Sequence, residues 1–262
     1  MTTRIDIILD QLTIPGRRYY YLHISLSGLG LRIKDYAPLL QGIKRRLPNQ
    51  STIVVPSFPF GNNAEYAEML GRGQLDFDVD RTPCRVNLFG EIFRRSSGVL
   101  RTWNPILPVA CLGPDAQSLC DTCHLDLMPF DPQGIFGRLA AESSCVIGLG
   151  VDSNTNSFAH MADDHFTELF PYPLYTPEPL HCRTYKSGQL VHTGDYKTVT
   201  VELRRKIKPG LLQPALLGQA FFQRVAEPAQ AYCIEVAPFV DFMVERARQS
   251  FNLGHLPLWH KQ

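Results

Sequence analysis

Cys145-Val146-Ile147-Gly148-Leu149-Gly150-Val151 decides how this chain folds, and it continues as Asp152-Ser153-Asn154-Thr155-Asn156-Ser157-Phe158-Ala159-His160-Met161-Ala162-Asp163-Asp164. The apolar run is short for a helix and suits a strand buried on both faces. The polar loop after it leads into a segment, Phe158–Asp163, that can open a helix. Open α/β sheets place their ligand chemistry in loops at the carboxyl ends of buried strands. This loop carries an imidazole, a carboxylate three residues later, and several hydroxyls and amides.

Working outward, Tyr19–Ile24, Thr52–Val55 and Val109–Leu112 read as further strands, the second closed by Pro56. Ile5–Leu12, Tyr36–Leu47, Val86–Arg95 and Ala116–His124 read as helices; Lys44, Arg45 and Arg46 sit where cations suit a helix C-terminus. Beyond Asp164 the texture changes. Phe170–Pro179 holds four prolines and predicts an extended loop. Arg183–Val191 reads as a hairpin turning at Ser187-Gly188, Thr198–Leu203 and Tyr232–Val236 as strands, and Phe239–Phe251 as a closing amphipathic helix. The expected fold is α/β: a single domain over residues 1–262, a mixed central β-sheet with helices on both faces, and a late antiparallel hairpin region.

Composition narrows the function. At 262 residues, 44% hydrophobic and 19% charged, the chain can bury a substantial core. A net charge of +1 supplies no bulk field for nucleic acid or an anionic membrane surface. No apolar run approaches the ~20 residues of a membrane span. Met1–Asp6 brings an early acid and no apolar core of a signal peptide, so the expected location is cytoplasmic, with the seven cysteines reduced. Cys120-Asp121-Thr122-Cys123-His124 matches a haem attachment pattern. That attachment follows export, and a zinc site would need a second ligand pair at suitable spacing, so no metal is expected.

Three segments offer chemistry. His160 and Asp163, at i and i+3, share a helix face, and a carboxylate beside an imidazole makes a general base. The same pair also suits a surface histidine near a helix N-terminus. His23-Ile24-Ser25-Leu26-Ser27-Gly28-Leu29-Gly30 follows a strand and can offer hydroxyls and N–H groups to phosphate oxygens, or simply form a tight turn. Arg94, Arg95 and Arg101, with Trp103 and Asn104 beyond, can grip an anionic ligand or cap a solvated helix end.

Taken together and in order, these segments resemble the aminoglycoside 3-N-acetyltransferase family of coenzyme A-dependent N-acyltransferases, from about Leu12 to Arg248. His23-Ile24-Ser25-Leu26-Ser27-Gly28-Leu29-Gly30 is similar to the family's His-Ser-Ser-Leu-Ser-x-x-Gly segment. Phe77-Asp78 with Thr82-Pro83 is similar to its Phe-Asp-x-x-x-Thr-Pro region. Glu91, Phe93-Arg94-Arg95, Gly98-Val99, Arg101-Thr102 and Pro105 follow its central block, which Val109-Ala110, Gly113, His124, Pro129-Phe130 and Gly134 continue. Asn156-Ser157, His160 and Asp163 stand against its Asn-Thr-x-x-His-x-x-Glu. Asp163 replaces the family's Glu, Asn104 its His before Pro, and Ile135-Phe136 a more polar pair; the last two alter the pocket lining.

The resemblance implies transfer of an acyl group from acetyl-CoA or a longer acyl-CoA to the primary amine of an amino sugar. His160, oriented by Asp163, would remove a proton from the amine for direct attack, with Ser157 or a nearby N–H facing the oxyanion. Cofactor contacts would come from His23, Ser25, Ser27, Gly28, Leu29, Gly30 and Asn156, and acceptor contacts from Arg94, Arg101, Trp103, Asn104 and His124. With 26 basic and 25 acidic residues the chain lacks the acidic surplus that suits a polycation. A nucleotide-linked amino sugar is therefore the favoured acceptor, and an aminoglycoside antibiotic the alternative. A non-catalytic coenzyme A or nucleotide-sugar binding protein is the second alternative, against which a base dyad argues. Neither nucleic acid nor membrane is an expected partner, and the oligomeric state is not encoded in these patterns.

Overall fold

A computed structural model describes residues 4–121, 123–206, 212–227, 229–257 and 259–260. The elements run α1 (Arg4–Asp10), β1 (Tyr19–Ile24), α2 (Tyr36–Arg46), β2 (Thr52–Pro56), α3 (Asn63–Gly71), β3 (Gln74–Asp78), α4 (Leu88–Arg94), β4 (Leu100–Arg101), β5 (Val109–Leu112) and α5 (Ala116–Cys120). They continue as α6 (Ile135–Ala141), β6 (Ser144–Leu149), α7 (His160–Asp164), β7 (Leu180–Lys186), β8 (Gln189–Tyr196), α8 (Val201–Lys206), α9 (Leu212–Leu216), β9 (Phe222–Val225), β10 (Ala231–Glu235) and α10 (Val236–Asn252).

The apolar run becomes β6, an interior strand of a seven-stranded sheet ordered β4-β5-β2-β1-β6-β10-β9, beside the central β1. β1 pairs parallel with both β2 and β6, whereas β5 and β10 run antiparallel to their neighbours. The expected mixed α/β architecture is the one observed. All six residues of β1 and of β6 are buried, because helices cover both faces. Tyr19 and Tyr21 of β1 join a core with Leu119 of α5, Phe136 of α6 and Phe239 and Met243 of α10. The alternate residues, Tyr20, Leu22 and Ile24, meet Leu9 of α1, Leu39 and Ile43 of α2, and Phe89 of α4. Period-two alternation thus sorts one strand's side chains into two cores.

β7 and β8 form the expected hairpin, Lys186 pairing with Gln189. Both turn residues lie at positive φ, Ser187 at 52° and Gly188 at 78°, the twist a two-residue hairpin loop requires. β3 pairs parallel with β7 and completes a second, three-stranded sheet.

Several expected boundaries differ. Thr198–Leu203, read as a strand, gives a single bridge at Val199 and then helix α8. The Thr200 hydroxyl accepts the Leu203 N–H at 3.1 Å, and that N-cap overrides the β-branched pattern. α4 starts two residues later than expected because Asn87 caps it, accepting the Gly90 N–H at 2.8 Å. Ala116–His124 divides into α5 and a 3₁₀ turn at Cys123–Leu125, and Thr122 between them lies outside the described residues. α3, β3, β4, α6, α9 and β9 have no counterpart among the expected elements. For α3 a signal exists: Asn62 accepts the Ala64 and Glu65 N–H groups while Glu65 accepts the Gly61 N–H.

β6 ends at Leu149, before the expected Val151, because Gly150 turns out of the sheet at φ 68°. There the exit loop meets the Ser25–Gly30 loop backbone to backbone. A Cβ on Gly28 would lie 1.9 Å from the Gly150 carbonyl oxygen. Gly28→Ala is therefore expected to destabilise the protein by about 2–3 kcal/mol, since the obstacle is backbone rather than a movable side chain. Denaturant unfolding checks this, and an unchanged midpoint would show that the two loops can separate at no cost.

Candidate active site

The loop after β6 is built by its own amides and acids. Asp152 accepts the Asn154 N–H at 2.8 Å and starts a 3₁₀ turn at Ser153–Thr155. Asn156 accepts the Phe158 N–H at 3.2 Å and starts another at Ser157–Ala159, which runs into α7. The two caps bring Ser157 and His160 to the wall of one cavity.

His160 Nδ1 lies 3.3 Å from Asp163 Oδ2, the i, i+3 contact expected from the spacing. The other Asp163 oxygen accepts from Trp259 Nε1 at 3.0 Å and His260 Nε2 at 2.9 Å. His260 Nδ1 in turn sits 3.1 Å from the Tyr172 hydroxyl. Asp163 is 2% exposed and His260 0%, while the His160 side chain remains 28% exposed. Burial pushes the Asp163 carboxyl up, but hydrogen bonds from His160 and His260 outweigh it and hold the group below the usual carboxylate range. An ionised Asp163 keeps the His160 proton on Nδ1 and leaves Nε2 as an acceptor. Phe130 flanks the imidazole, its ring centroid 5.3 Å away. Trp259 and His260 form no local pattern with Asp163, and no sequence signal marks them.

The cavity beside His160 measures about 70 Å³. Phe58, Phe60, Tyr66, Ile106, Leu107 and Phe130 give it an apolar wall, and Ser157 and Arg204 are polar exceptions. Among the described residues, no aspartate or glutamate lines it. Asn104 stands behind that wall. It accepts the Ile106 and Leu107 N–H groups at 2.9 and 3.0 Å and donates to the Cys123 and Asp126 carbonyls. It therefore shapes the turn that supplies two lining residues.

Arg94, Arg101 and Trp103 lie elsewhere, around a larger cavity of about 370 Å³ that contains neither His160 nor Ser157. Size does not pick the site here; the dyad does. Arg94 gives its N–H groups to Glu91 and to the Asp80 carbonyl. Arg101, 6% exposed, donates to the Val79, Thr82 and Ser57 carbonyls. Burial, with Arg94 nearby, lowers its pKa to about 10. The structure uses both guanidiniums as internal struts. Trp103 carries Lys186 over its ring at 5.1 Å. The His124 side chain lies outside the described residues.

The N-terminal loop is tied to itself. Gly28 N–H donates to Ser25 Oγ, Leu29 N–H to the Ser25 carbonyl and Gly30 N–H to the Ser27 carbonyl, so these amides are not aimed outward. Leu29 is core, while the Ser25 and Ser27 hydroxyls meet at 3.1 Å near the surface. His23 is buried, and burial lowers its pKa to about 4, so it is neutral at neutral pH. Among the described residues its Nε2 has no hydrogen-bond partner, and neither do Ser57 Oγ and Asn156 Nδ2. The Tyr21 hydroxyl approaches Ser157 but makes no hydrogen bond of good geometry. These orphaned atoms gather at and beside the carboxyl ends of β1, β2 and β6, and buried orphans of this kind call for a polar ligand. The seven cysteines are all free and buried, Cys120 and Cys123 included, and no metal-ligand cluster occurs among the described residues.

The sequence profile of the family described as aminoglycoside 3-N-acetyltransferase matches residues 21–248. No curated protein matches the chain. Among solved structures it resembles the aminoglycoside acetyltransferase AAC(3)-IVa apoenzyme, with a TM-score of 0.68, 19% identity, and 94% of this chain and 87% of that one covered. The YokD protein from Bacillus subtilis aligns with a TM-score of 0.70 and 20% identity over 92% and 91% of the two chains. AAC-IIIb in a binary complex with CoASH aligns with a TM-score of 0.71 and 15% identity over 93% and 95%.

Proposed function

This chain belongs to the aminoglycoside 3-N-acetyltransferase family, and from that premise we propose that residues 1–262 form one domain that transfers an acyl group from acyl-CoA to the amine of an amino sugar. The observation that carries the reading is the base. His160 lines a cavity while a buried carboxylate, held below the usual carboxylate range, binds its Nδ1.

An ammonium group has no lone pair and must lose a proton before it can attack a thioester carbonyl. His160 Nε2 accepts that proton, and Asp163 stabilises the imidazolium that results. His160 releases that first proton to solvent and then takes the second, which attack leaves on the nitrogen; collapse to the amide expels the coenzyme A thiolate, and His160 returns the second proton to it. Ser157, on the same cavity wall, is the donor for the negative charge that develops on the acyl oxygen. The orphaned His23, Ser57 and Asn156 atoms fit the polar body of acyl-CoA, arriving from the Ser25–Gly30 side. Related structures carry CoASH in one case and apramycin or sisomicin in others. None of the described helices is long and apolar enough to cross a membrane, and the reading places the enzyme with the cytoplasmic acyl-CoA pool.

The favoured acceptor is a nucleotide-linked amino sugar. Support comes from the near-balanced charge of the chain and from the lack of carboxylates among the described residues that line the His160 cavity. The alternative, an aminoglycoside, draws its support from the family itself. Product mass spectrometry with several acyl-CoAs, offered UDP-glucosamine and apramycin in turn, tests the reading. UDP-glucosamine is expected to give the higher kcat/KM. A tenfold preference for apramycin, about 1.4 kcal/mol of transition-state binding, would return the chain to the antibiotic-modifying alternative.

A further inference from the structure

Among the described residues, Arg204 is the one fixed charge that lines the His160 cavity, and none of them neutralises it. It sits on α8, which the Thr200 cap holds in place. Its guanidinium lies 4.5 Å from the Tyr66 ring and 5.1 Å from the Phe60 ring, and Nε donates to Asn63 Oδ1 at 2.9 Å. Those contacts fix one edge of the planar fork. Among the described residues no carboxylate pairs with it.

The acids on neighbouring elements are engaged elsewhere or point away. On α3, Glu65 holds Arg85 and the Gly61 N–H, and Glu68 holds Arg72. On α7, Asp163 is committed to His160, Trp259 and His260, and Asp164 to the Tyr175 hydroxyl. Glu202, on the same helix, is exposed to solvent. Burial lowers the Arg204 pKa, so the charge is held at a desolvation cost that an incoming anion would offset.

We propose that Arg204 binds a phosphate or carboxylate group on the acceptor, so that the cavity selects anionic amino sugars and disfavours polycations. The proposal rests on the acyl-transfer reading above. A planar guanidinium with one edge fixed presents paired N–H donors that match either anion. A polycation would instead bring ammonium groups beside an uncompensated guanidinium in an apolar surround, and like charges there are repulsive. The anion belongs to the acceptor and not to the acyl donor, because no residue of the 23–30 loop lines this cavity. The acyl group comes from that loop's side, leaving the Arg204 side for the amine.

The experiment compares kcat/KM for glucosamine 6-phosphate (a phosphate), muramic acid (a carboxylate), glucosamine (neutral) and sisomicin, in wild type and in Arg204→Gln and Arg204→Lys. Wild type is expected to prefer at least one anionic sugar over glucosamine by about 10- to 100-fold, the range of a charge-assisted hydrogen bond. Which one wins separates phosphate from carboxylate. Arg204→Gln is expected to bring that ratio near one, and Arg204→Lys to retain part of it. Should Arg204→Gln not fold, the wild-type ratio decides alone. A wild-type ratio near one, a ratio that Arg204→Gln leaves intact, or a tenfold preference for sisomicin would overturn the proposal. So would a preference for succinyl-CoA over acetyl-CoA that disappears in Arg204→Gln, which would move the anion to the acyl donor. Transfer to glucosamine with no anionic preference removes only the role of Arg204. Transfer to no amine, in a protein that binds coenzyme A, removes the underlying reading and this proposal with it.

Discussion

His160→Asn is expected to lower kcat by about 10²–10⁴-fold, the usual worth of a positioned general base, while coenzyme A binding measured by calorimetry stays near that of wild type. Asparagine is the informative replacement because its side-chain amide can still donate toward Asp163 Oδ2, now 3.3 Å from His160 Nδ1. The buried carboxylate keeps a partner and the fold is spared. What disappears is the Nε2 lone pair at the cavity. The residual rate then depends on acceptor that arrives already deprotonated. Below the pKa of the acceptor amine that fraction rises tenfold per pH unit, so the variant's rate should climb with pH at that slope, and wild type should climb less steeply. Turnover within threefold of wild type, with the same pH profile, would remove His160 from the chemistry.

What the sequence disclosed and what it hid follow from the range of the forces involved. β1, β2 and β6 were legible because burial on both sheet faces demands unbroken apolar or β-branched runs. The His160–Asp163 contact was legible because helical geometry alone brings i and i+3 together. Thr198–Leu203 misled because one hydroxyl, Thr200 Oγ, outbids the β-propensity around it. The Ser25–Gly30 loop reads as a phosphate cradle from composition. In the folded chain, Gly28 leaves room for the Gly150 backbone, more than a hundred residues further along the chain. Arg94 and Arg101 read as free cations because a sequence does not display the carbonyls of Ser57, Val79, Asp80 and Thr82 that surround them. Arg204 carries no sequence signal, since a single arginine on a short helix is made distinctive only by the commitment of the acids near it to other partners.

Asp163→Asn is expected to cost both activity and stability, and the two losses have separate causes. The Asp163 carboxylate accepts from His160 on one oxygen and from Trp259 and His260, 96 and 97 residues away, on the other. An asparagine can satisfy two donors only by keeping its oxygen toward Trp259 and His260. Its NH₂ group then faces His160 Nδ1. That arrangement favours the tautomer with the proton on Nε2, which cannot act as a base. We expect kcat to fall by about 10²–10³-fold, within the range for an impaired general base and short of the loss in His160→Asn. The stability term comes from burial: a 2% exposed carboxylate that loses its charge weakens every bond made to it, about 2–4 kcal/mol for a buried pair of this kind. The pH dependence fixes the sign. Asp163 titrates below the usual carboxylate range when folded, so its stabilisation is full above about pH 4, the ordinary value for aspartate, and is lost as pH falls through the depressed folded value. Denaturant unfolding of wild type at pH 7 and again below pH 4 should show that loss, and Asp163→Asn should lack this contribution to the acid limb. Equal stability at pH 7 would mean that the carboxylate carries no net charge in the native protein, and the description of His160 as a base held by an anion would fall with it.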